Sequence, residues 1–451
     1  MPAALDQVFK AYDVRGIYPD QLDEELAERV GRAFVALTGA GTLAIGQDMR
    51  PSSKPMADAL AAGAMAQGAD VLRVGLCSTD MLYYVSGALD VAGVMLTASH
   101  NPARYNGLKL CRPGAVPVGE ESGLADIKRM VAAGQPAADA AERGRERQAD
   151  DLLERYAAHV RSFADRGALR PLKVVADAGN GMAGHVVPAV FAGLPFELVS
   201  MYFELDGSFP NHPADPLNPE NLRELQARVV AEGADVGLAF DGDADRVFLV
   251  DEQGATVPSS LVGALVARLM CEREPGATVL YNLICSRVVP ETIREAGGVP
   301  VRTRVGHSFI KGVMAETGAI FGCEHSGHYY FRDNYRADSG LIAALVALDA
   351  LSRAGRPLSE VLAPYRRYAA SGEINRRVDD PGKVIGEVAG RYPADAADFA
   401  DGLTVEGGDW WFNLRPSNTE PLLRLNVEAA TEAEMARVRD EVLEAVGGEP
   451  A

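Results

Sequence analysis

Paired cysteines are missing from this 451-residue chain. Its five cysteines are odd in number and none is spaced as Cys-x-x-Cys: Cys77, Cys111, Cys271, Cys285 and Cys323. Without such pairs, neither a disulfide framework nor a zinc site is expected. A protein of the reducing cytoplasm fits this composition best.

Long apolar runs and an excess of positive charge are also missing. No apolar run approaches the ~18 residues of a membrane-spanning helix, and residues 1–16 lack the basic and then apolar layout of a signal peptide. The 44 Lys and Arg against 63 Asp and Glu leave a net charge of −19, which opposes binding to nucleic acid phosphates or to an anionic membrane surface. We therefore expect a cytoplasmic protein without nucleic-acid or membrane partners.

Two common catalytic signatures are missing as well. The chain has no Walker A sequence, which argues against a P-loop kinase, and Ser99 lies outside a Gly-x-Ser-x-Gly nucleophile elbow. Residues 179–184 do match the dinucleotide fingerprint Gly-x-Gly-x-x-Gly, with Glu204 twenty residues further on. An NAD-dependent dehydrogenase would leave three polar loops elsewhere in the chain unexplained, so a tight strand-to-helix turn is the favoured interpretation.

One pattern of strands and helices occurs three times in the chain, which is 47% hydrophobic. The predicted strands lie at 42–45, 71–74 and 91–96, then at 173–176, 196–202 and 236–240, then at 278–283, 301–303 and 319–322. Such strands, alternating with helical segments, are typical of layered α/β domains. Residues 137–151 are interpreted as a linker or helix lead-in, and from about residue 371 the pattern changes to a smaller α+β unit.

In each copy the third strand runs into a polar loop, at residues 97–102, 241–246 and 324–328. In the first loop Asn101-Pro102 cannot continue the strand, so Ser99 is expected at its carboxyl end. Open α/β proteins carry their chemistry at such ends. Three loops from equivalent positions are therefore expected to face one cleft.

The second loop has the composition of a metal site. Asp241, Asp243 and Asp245 alternate, so an extended segment would project them to one side, where they would converge on Mg²⁺. A solvated acidic turn is the plain alternative. A calcium EF-hand is a sharper one, because Glu252 occupies the twelfth position, but the sixth is Arg246 rather than Gly.

A hydroxyl beside a metal site suggests phosphoryl transfer. A phosphate on Ser99 would add a charge of roughly −2 and three acceptor oxygens. With the three aspartates, a divalent cation and the cations Arg15, Lys109 and Arg246, the charges of such a site sum to roughly zero. Ordinary turn chemistry is the alternative explanation of the Ser-His-Asn-Pro sequence.

Two further loops have the composition of ligand-binding sites. Residues 415–420 combine Arg415 with hydroxyls, an amide and successive N–H groups, and Arg424 follows, which suits a phosphate. A plain turn would account for residues 417–419 but not for both arginines. The loop of the third copy offers donors and acceptors for sugar hydroxyls from Glu324, Ser326 and His328. A capped, solvated turn is its alternative.

Together these motifs resemble the α-D-phosphohexomutase family, specifically its bacterial phosphomannomutase/phosphoglucomutase members. The resemblance runs along the whole chain, through residues 10–16, 97–102, 105–109, 241–246, 306–307, 324–328 and 415–421. It implies three similar α/β/α domains with mixed sheets, at residues 1–150, 151–252 and 253–368, and a smaller C-terminal α+β domain at 369–451, arranged around a central cleft. It also implies an isomerase, an intramolecular phosphotransferase, that is a monomer or a weak dimer.

The resemblance further implies roles for individual residues. The catalytic set would be phosphorylated Ser99 with Arg15, His100, Lys109 and Arg246, of which Lys109 is the candidate general base. One Mg²⁺ per chain would be bound by Ser99, Asp241, Asp243 and Asp245. The substrate would be held by Tyr12, His307, Glu324, Ser326, His328, Arg415, Ser417, Asn418, Thr419 and Arg424.

The implied reaction is the reversible conversion of hexose 6-phosphate to hexose 1-phosphate, with mannose and glucose phosphates as substrates. Phospho-Ser99 would donate to the free hydroxyl, giving a bound hexose 1,6-bisphosphate that turns end for end and returns its other phosphate to Ser99. Phosphoglucosamine mutases, which usually have Gln at the position of His325, are one alternative, and a catalytically silent sugar-phosphate-binding protein is another. One departure concerns Ile284, where family members often have Lys, and Arg287 is a candidate to compensate.

Overall fold

The computed structural model describes residues 2–416 and 422–450, without the side chains of residues 2–4 and 307–308. Its strands form four sheets that follow one another along the chain. The first three sheets mix parallel and antiparallel pairs, whereas the fourth is antiparallel. This architecture confirms the expected fold class of three α/β domains followed by a C-terminal α+β domain.

The first domain contains a seven-stranded sheet. Its strands are β1 (Val14–Ile17), β2 (Thr42–Gln47), β3 (Asp70–Leu76), β4 (Ala92–Leu96), β5 (Tyr105–Arg112), β6 (Val116–Pro117) and β7 (Glu146–Gln148). Its helices are α1 (Pro2–Val8), α2 (Glu24–Thr38), α3 (Ser53–Ala66), α4 (Thr79–Leu89) and α5 (Leu124–Ala132). Helix α2 shows how local chemistry sets such bounds: the Asp23 side chain accepts from the N–H of Leu26 at its start, and Gly39 adopts a φ of 65° at its end.

The second and third domains repeat this arrangement with fewer strands. The second has β8 (Leu172–Asp177), β9 (Phe196–Met201), β10 (Val236–Phe240), β11 (Val247–Asp251) and β12 (Thr256–Val257), with α6 (Leu152–Arg161), α7 (Ala183–Phe191) and α8 (Arg223–Glu232). The third has β13 (Thr278–Asn282), β14 (Val299–Thr303), β15 (Phe321–Cys323) and β16 (Tyr329–Phe331), with α9 (Ser259–Arg273), α10 (Val288–Glu295), α11 (His307–Thr317), α12 (Gly340–Ala354) and α13 (Leu358–Leu362).

In its described residues, the C-terminal domain has a six-stranded sheet and two helices. Its strands are β17 (Ala369–Arg377), β18 (Ala397–Asp398), β19 (Leu403–Glu406), β20 (Trp410–Pro416), β21 (Leu422–Ala429) and β22 (Glu449–Pro450), and its helices are α14 (Pro381–Ala389) and α15 (Glu432–Val446). This sheet with its helices confirms the smaller α+β unit that the sequence predicts from about residue 371.

One strand order recurs in the first three domains and positions their polar loops. The third parallel strand of each copy pairs with the first, and an antiparallel strand returns beside the third: β5 beside β4, β11 beside β10 and β16 beside β15. The polar loops at 97–102, 241–246 and 324–328 therefore occupy the same turn, between the third parallel strand and the returning strand.

One large hydrophobic cluster crosses the first three domains, the first domain also contains a second cluster of its own, and the fourth domain has a separate one. Buried side chains from Ala44 to Tyr365 belong to a single cluster that crosses all three α/β domains. The C-terminal domain contains a separate cluster, from Ala369 to Val446. Within the described part of the chain, no helix has both the length and the apolar character needed to cross a membrane.

Two connecting segments differ in detail from the sequence-based expectation. Residues 137–151, interpreted as a linker, contain β7, which extends the first sheet by pairing in parallel with β3. The second sheet continues past residue 252, the expected end of its domain, because β12 pairs with β11. Both strands are short, so their few residues show little of the alternation by which a strand is recognised.

Candidate active site

The loop after β4 places Ser99 directly beside Asp241. The serine hydroxyl donates to Oδ2 of Asp241 at 2.6 Å and lies 3.3 Å from a terminal nitrogen of Arg246. Ser99 is 5% exposed and has a φ of 50°, a conformation that is unfavourable for a residue other than glycine. The two loops meet at Gly242, where a Cβ would clash with the carbonyl oxygen of Ser99. The Ser99 hydroxyl and the acidic loop, residues 241–246, therefore form one site.

A buried guanidinium that the sequence analysis does not single out holds the Ser99 loop in place. Arg50 follows β2 and donates to four carbonyl oxygens at 2.7–2.9 Å, those of Ser99, Asn101, Pro102 and Tyr105. Asp48 compensates its charge with a 3.1 Å ion pair, and both side chains are fully buried. An Asp-x-Arg-Pro sequence directly after a predicted strand is the signal that would have found it.

Asp241, Asp243 and Asp245 lie close enough together to share a cation. One oxygen from each lies within 4.8 Å of the others, and all three residues are buried. Oδ1 of Asp243 and Oδ1 of Asp245 accept no hydrogen bond from the described residues. Burial, reinforced by the neighbouring carboxylates, raises the pKa of Asp241 to about 7. Buried carboxylates with unused oxygens fit a hard divalent cation such as Mg²⁺.

Two cations compensate the charge of these aspartates in the structure. Nζ of Lys109 donates to Asp243 at 2.7 Å and to Asp245 at 2.6 Å, and Nε of Arg246 donates to Asp241 at 2.9 Å. Burial disfavours the Lys109 ammonium, but the two carboxylates outweigh burial and hold the pKa of Lys109 well above its usual range. A general base must first lack its proton. Lys109 is therefore protonated in this arrangement, and a role as general base requires its release from these carboxylates.

His100 and Arg15 contact the same loop. Nδ1 of His100 lies 3.2 Å from the Ser99 hydroxyl and accepts from Arg246. Burial, together with Arg246 and Arg15, holds the pKa of His100 well below its usual range, so its ring is neutral. Arg15 donates to Oδ1 of Asn101 at 2.6 Å. The five side chains of the expected catalytic set thus belong to one network of contacts with the Ser99 and acidic loops.

The Gly-x-Gly-x-x-Gly turn after β8 packs against the backbone of the acidic loop. The N–H of Met182 donates to the carbonyl oxygen of Gly242 at 2.9 Å. A Cβ on Gly181 would clash with the backbone of Gly242, and one on Gly184 would clash with the backbone of Phe203. Close approach of neighbouring backbone accounts for these glycines, in agreement with the tight-turn interpretation.

Glu324 is held firmly at the start of the third polar loop. It is 3% exposed. Its carboxylate accepts from the hydroxyl of Tyr330 at 2.7 Å, from Asn282 at 3.2 Å and from the N–H of Gly306 at 3.1 Å. These three donors leave the carboxylate oriented before any ligand binds.

His328 joins this third loop to the acidic loop. Its Nε2 lies 3.7 Å from Oδ1 of Asp245, and its backbone forms a β-bridge with that of Arg246. Ser326 lies on the same loop, with its hydroxyl 2.9 Å from Nδ1 of His328. The polar loops of the three α/β domains therefore converge on one region.

Tyr12 lies against the beginning of α11. Its ring packs edge-on against Phe309, with centroids 6.2 Å apart, and a Cβ on Gly306 would clash with its hydroxyl. Burial, followed by the nearby Asp401 carboxylate, raises the pKa of Tyr12. Helix α11 begins at His307, whose side chain lies outside the described part of the structure.

The two arginines expected to bind phosphate lie side by side on β20 and β21. Arg415 and Arg424 are direct partners in the antiparallel register. The carboxylate of Glu373, which the sequence analysis does not single out, lies 3.1 Å from Arg415 and 3.4 Å from Arg424. The remaining predicted members of this receptor, Ser417, Asn418 and Thr419, lie outside the described residues.

The turn after β13 packs on the C-terminal domain. Ile284 is 5% exposed and lies in an apolar cluster with Leu283 and Trp411. The guanidinium of Arg287 donates to the carbonyl oxygens of Gly407, Gly408 and Trp410, where the turn after β19 enters β20. Arg287 therefore connects the third and fourth domains, and these contacts do not support a role in replacing the absent lysine.

Four family models cover most of the chain. The phosphoglucomutase/phosphomannomutase alpha/beta/alpha domains I, II and III match residues 6–137, 154–254 and 258–368. The C-terminal domain of the same family matches residues 373–445. The matches appear in the order of the four sheets.

Curated relatives and a solved structure match over nearly the full length. "Phosphohexose mutases" of Xanthomonas campestris pv. campestris is 42% identical over 436 residues, 96% of this chain and 97% of the relative. Phosphomannomutase of Escherichia coli K12 is 39% identical, over 96% of this chain and 97% of the relative. A crystal structure of a phosphoglucomutase/phosphomannomutase family protein from Burkholderia thailandensis has a TM-score of 0.89 and 33% identity, covering 98% of this chain and 99% of that one. The chain therefore belongs to the α-D-phosphohexomutases of the phosphoglucomutase/phosphomannomutase family, and it is an isomerase.

Proposed function

We propose that this protein is a phosphomannomutase/phosphoglucomutase that interconverts hexose 1-phosphates and hexose 6-phosphates through a phosphorylated Ser99. The observation that carries the proposal is the 2.6 Å hydrogen bond from the Ser99 hydroxyl to Asp241, inside a buried group of three carboxylates. The names of the matched relatives, phosphohexose mutases and phosphomannomutase, support hexose phosphates as the substrate class.

The reaction starts from phosphoserine. The bond between phosphorus and Oγ of Ser99 breaks, and a bond forms between phosphorus and the free hydroxyl oxygen of the hexose phosphate. The proton of that hydroxyl passes to a base, and Oγ of Ser99 takes up a proton in turn and becomes a hydroxyl. The resulting hexose 1,6-bisphosphate turns end for end and returns its other phosphoryl group to Ser99. The isomeric hexose phosphate leaves, and the phosphoenzyme is restored.

Cations around Ser99 stabilise the charge of the transferring group. Arg246 already lies 3.3 Å from the serine oxygen, and Arg15 is attached to the same loop through Asn101. Lys109 acts as a base only when it is released from Asp243 and Asp245, which accept hydrogen bonds from its ammonium group and keep it protonated. His100 lies beside the Ser99 hydroxyl, which it orients, and it accepts a hydrogen bond from Arg246.

Asp241, Asp243 and Asp245, with phosphorylated Ser99, would hold one Mg²⁺. When bound, this ion supplies positive charge that compensates the phosphoryl oxygens during transfer. The buried oxygens of Asp243 and Asp245 without hydrogen-bond donors support this assignment.

Most of the proposed substrate contacts come from the third and fourth domains, and Tyr12 of the first domain joins them. Glu324 and Ser326 would bind the 3- and 4-hydroxyls of the sugar, with His328 beside them, and Arg415 and Arg424 would bind the phosphate that does not react. Mannose and glucose differ only at the 2-hydroxyl, so these contacts accept both sugars. We propose dual use of mannose and glucose phosphates.

The proposal is tested by the variant Ser99→Ala. Turnover of mannose 1-phosphate and glucose 1-phosphate in coupled assays should fall by roughly a thousandfold or more, because the group that carries the phosphate is lost, while calorimetry still detects hexose phosphate binding. Intact mass should show one phosphate on the wild type and on the control Ser162→Ala, whose hydroxyl only donates to a backbone carbonyl. Full activity of Ser99→Ala would exclude the proposed role. Faster turnover of glucosamine 1-phosphate would favour a phosphoglucosamine mutase.

A further inference from the structure

Glu373 occupies the two arginines that the proposed function assigns to the substrate phosphate. Its Oε2 accepts from Arg415 at 3.1 Å, and its Oε1 lies 3.4 Å from Arg424. The same Oε2 lies 4.0 Å from Nε2 of His325 on the third polar loop. A single carboxylate thus bridges both arginines and faces the loop of the neighbouring domain.

The backbone of β17 aims Glu373 at this position. The register between β17 and β21 shifts between Ala370 and Glu373, which marks a β-bulge, and Gly372 in the bulge has a φ of 68°. The Ser371 hydroxyl accepts from the N–H of Val427 at 3.0 Å and fixes the bulged segment to β21. Bulges turn side chains toward neighbouring sites in this way. The position of Glu373 is therefore built into the strand.

The arginines need an anion even without substrate. Arg415 and Arg424 stand directly opposite each other, and like charges in that arrangement repel. Arg415 is only 7% exposed, so solvent compensates its charge poorly. The Glu373 carboxylate supplies the missing negative charge and keeps both guanidinium groups near each other.

Glu373 nevertheless binds these arginines less completely than a phosphate would. Each carboxylate oxygen contacts one arginine, and the buried Nε of Arg415 has no hydrogen-bond partner among residues 2–416 and 422–450. A phosphate monoester has three terminal oxygens, carries roughly −2 charge and accepts paired hydrogen bonds from guanidinium groups. It has the chemistry to displace the carboxylate.

We propose that Glu373 is a resident counter-anion of the phosphate receptor, which holds the arginines in place between turnovers and competes with the substrate phosphate for them. The inference rests on the proposed function of Arg415 and Arg424. Glu373 is a positioning residue. By returning to the arginines, it weakens phosphate binding and speeds phosphate release. The proposed reaction requires such release, because each phosphate of the bisphosphate must leave the receptor in turn.

The test compares Glu373→Gln with the wild type in the full-length protein. Calorimetry should give a dissociation constant for glucose 1-phosphate, and for inorganic phosphate, that is lowered about tenfold, because the competing charge is gone. KM should fall and kcat should fall with it, since release becomes slower. Glu373→Asp, with a shorter reach, should lie between the two. The control Glu387→Gln removes an exposed carboxylate of α14 that pairs only loosely with Lys383, at 3.8 Å, and should match the wild type.

Dissociation constants of both Glu373 variants equal to or above that of the wild type would overturn the inference. Arg415→Ala separates this result from a failure of the proposed function. If Arg415→Ala binds glucose 1-phosphate as tightly as the wild type, the receptor itself is wrongly placed. If Arg415→Ala weakens binding while the Glu373 variants do not tighten it, the receptor stands and only the role of Glu373 is rejected.

Discussion

Ser99 is placed by residues that are small or buried, and the site depends on them as much as on its charged groups. Its left-handed backbone is held by Arg50 from within the first domain and by the close approach of Gly242 from the second. No single sequence motif contains these three residues. The geometry of the reacting hydroxyl is therefore a property of two packed loops.

We predict that Gly242→Ala lowers turnover about a hundredfold. The added Cβ would clash with the Ser99 carbonyl oxygen and push the two loops apart, and a displacement of this kind is costly at a reacting centre. Steady-state kinetics measure the effect. The control Gly386→Ala adds a Cβ in open space on α14 and should leave turnover unchanged while stabilising the helix slightly. Equal turnover of Gly242→Ala and wild type would contradict this account.

A second prediction concerns Lys109 and the bound cation. Lys109→Met removes the ammonium that pairs with Asp243 and Asp245, so the affinity of these carboxylates for Mg²⁺ should rise at least tenfold, by roughly 1.4 kcal/mol or more. Titration of the protein with MgCl₂ in a calorimeter measures it. Lys54→Met, in an exposed ion pair with Asp58, is the control. Unchanged or weaker Mg²⁺ binding in Lys109→Met would contradict competition between Lys109 and the cation for these aspartates.

At the scale of elements, the turn between β13 and α10 connects the third domain to the fourth. Arg287 spans the boundary through its guanidinium, and its N–H donates to Glu428 at 2.9 Å. Arg287→Ala should therefore raise KM for glucose 1-phosphate several-fold, because the fourth domain carries the proposed phosphate receptor. Hydrogen exchange should also become faster in residues 403–414. The control Arg294→Ala changes an exposed residue of α10. An unchanged KM in Arg287→Ala would reject this function of the contact.

Individual elements were predictable from sequence where apolar periodicity was strong. The strand at residues 236–240 has the predicted bounds, and the strand at 92–96 differs by one residue. Pairing between distant segments was not predictable, because β5 or β7 becomes a sheet strand only by meeting a partner elsewhere in the chain. The residues of the candidate site were predictable to the same extent. The Ser99 and acidic loops carry their own signal, whereas Arg50 and Glu373 act through backbone turns and bulges that their neighbours impose.

At the scale of the whole molecule, Asp80 connects the three α/β domains. This fully buried carboxylate of α4 accepts hydrogen bonds from Ser78, from Tyr156 of α6 and from Ser339, which caps α12. Burial raises the pKa of Asp80 to about 6, despite these three donors. Because the pKa is higher in the folded than in the unfolded chain, this contribution to stability is complete below about pH 4 and is lost as pH rises through 6.

Asp80→Asn should remove this dependence on pH. As the pH rises from 4 to 8, the wild type should lose about 2 kcal/mol of unfolding free energy relative to the variant. For a chain of this length, this corresponds to a Tm difference of roughly 2 °C. Differential scanning calorimetry at both pH values measures the shift. Asp20→Asn, at an exposed position, is the control. A Tm difference that is the same at both pH values would show that Asp80 does not titrate in this way.

The cluster that runs from Ala44 to Tyr365 also constrains how the protein is made. At a translation rate of roughly 5–20 residues per second, the ribosome needs on the order of 15 to 60 s to deliver the segments that complete it. During that interval the nascent first and second domains expose apolar faces that only later residues cover. Chaperone capture is therefore most useful for partly synthesised chains, while the last 80 or so residues, with their separate cluster, are free to fold after release.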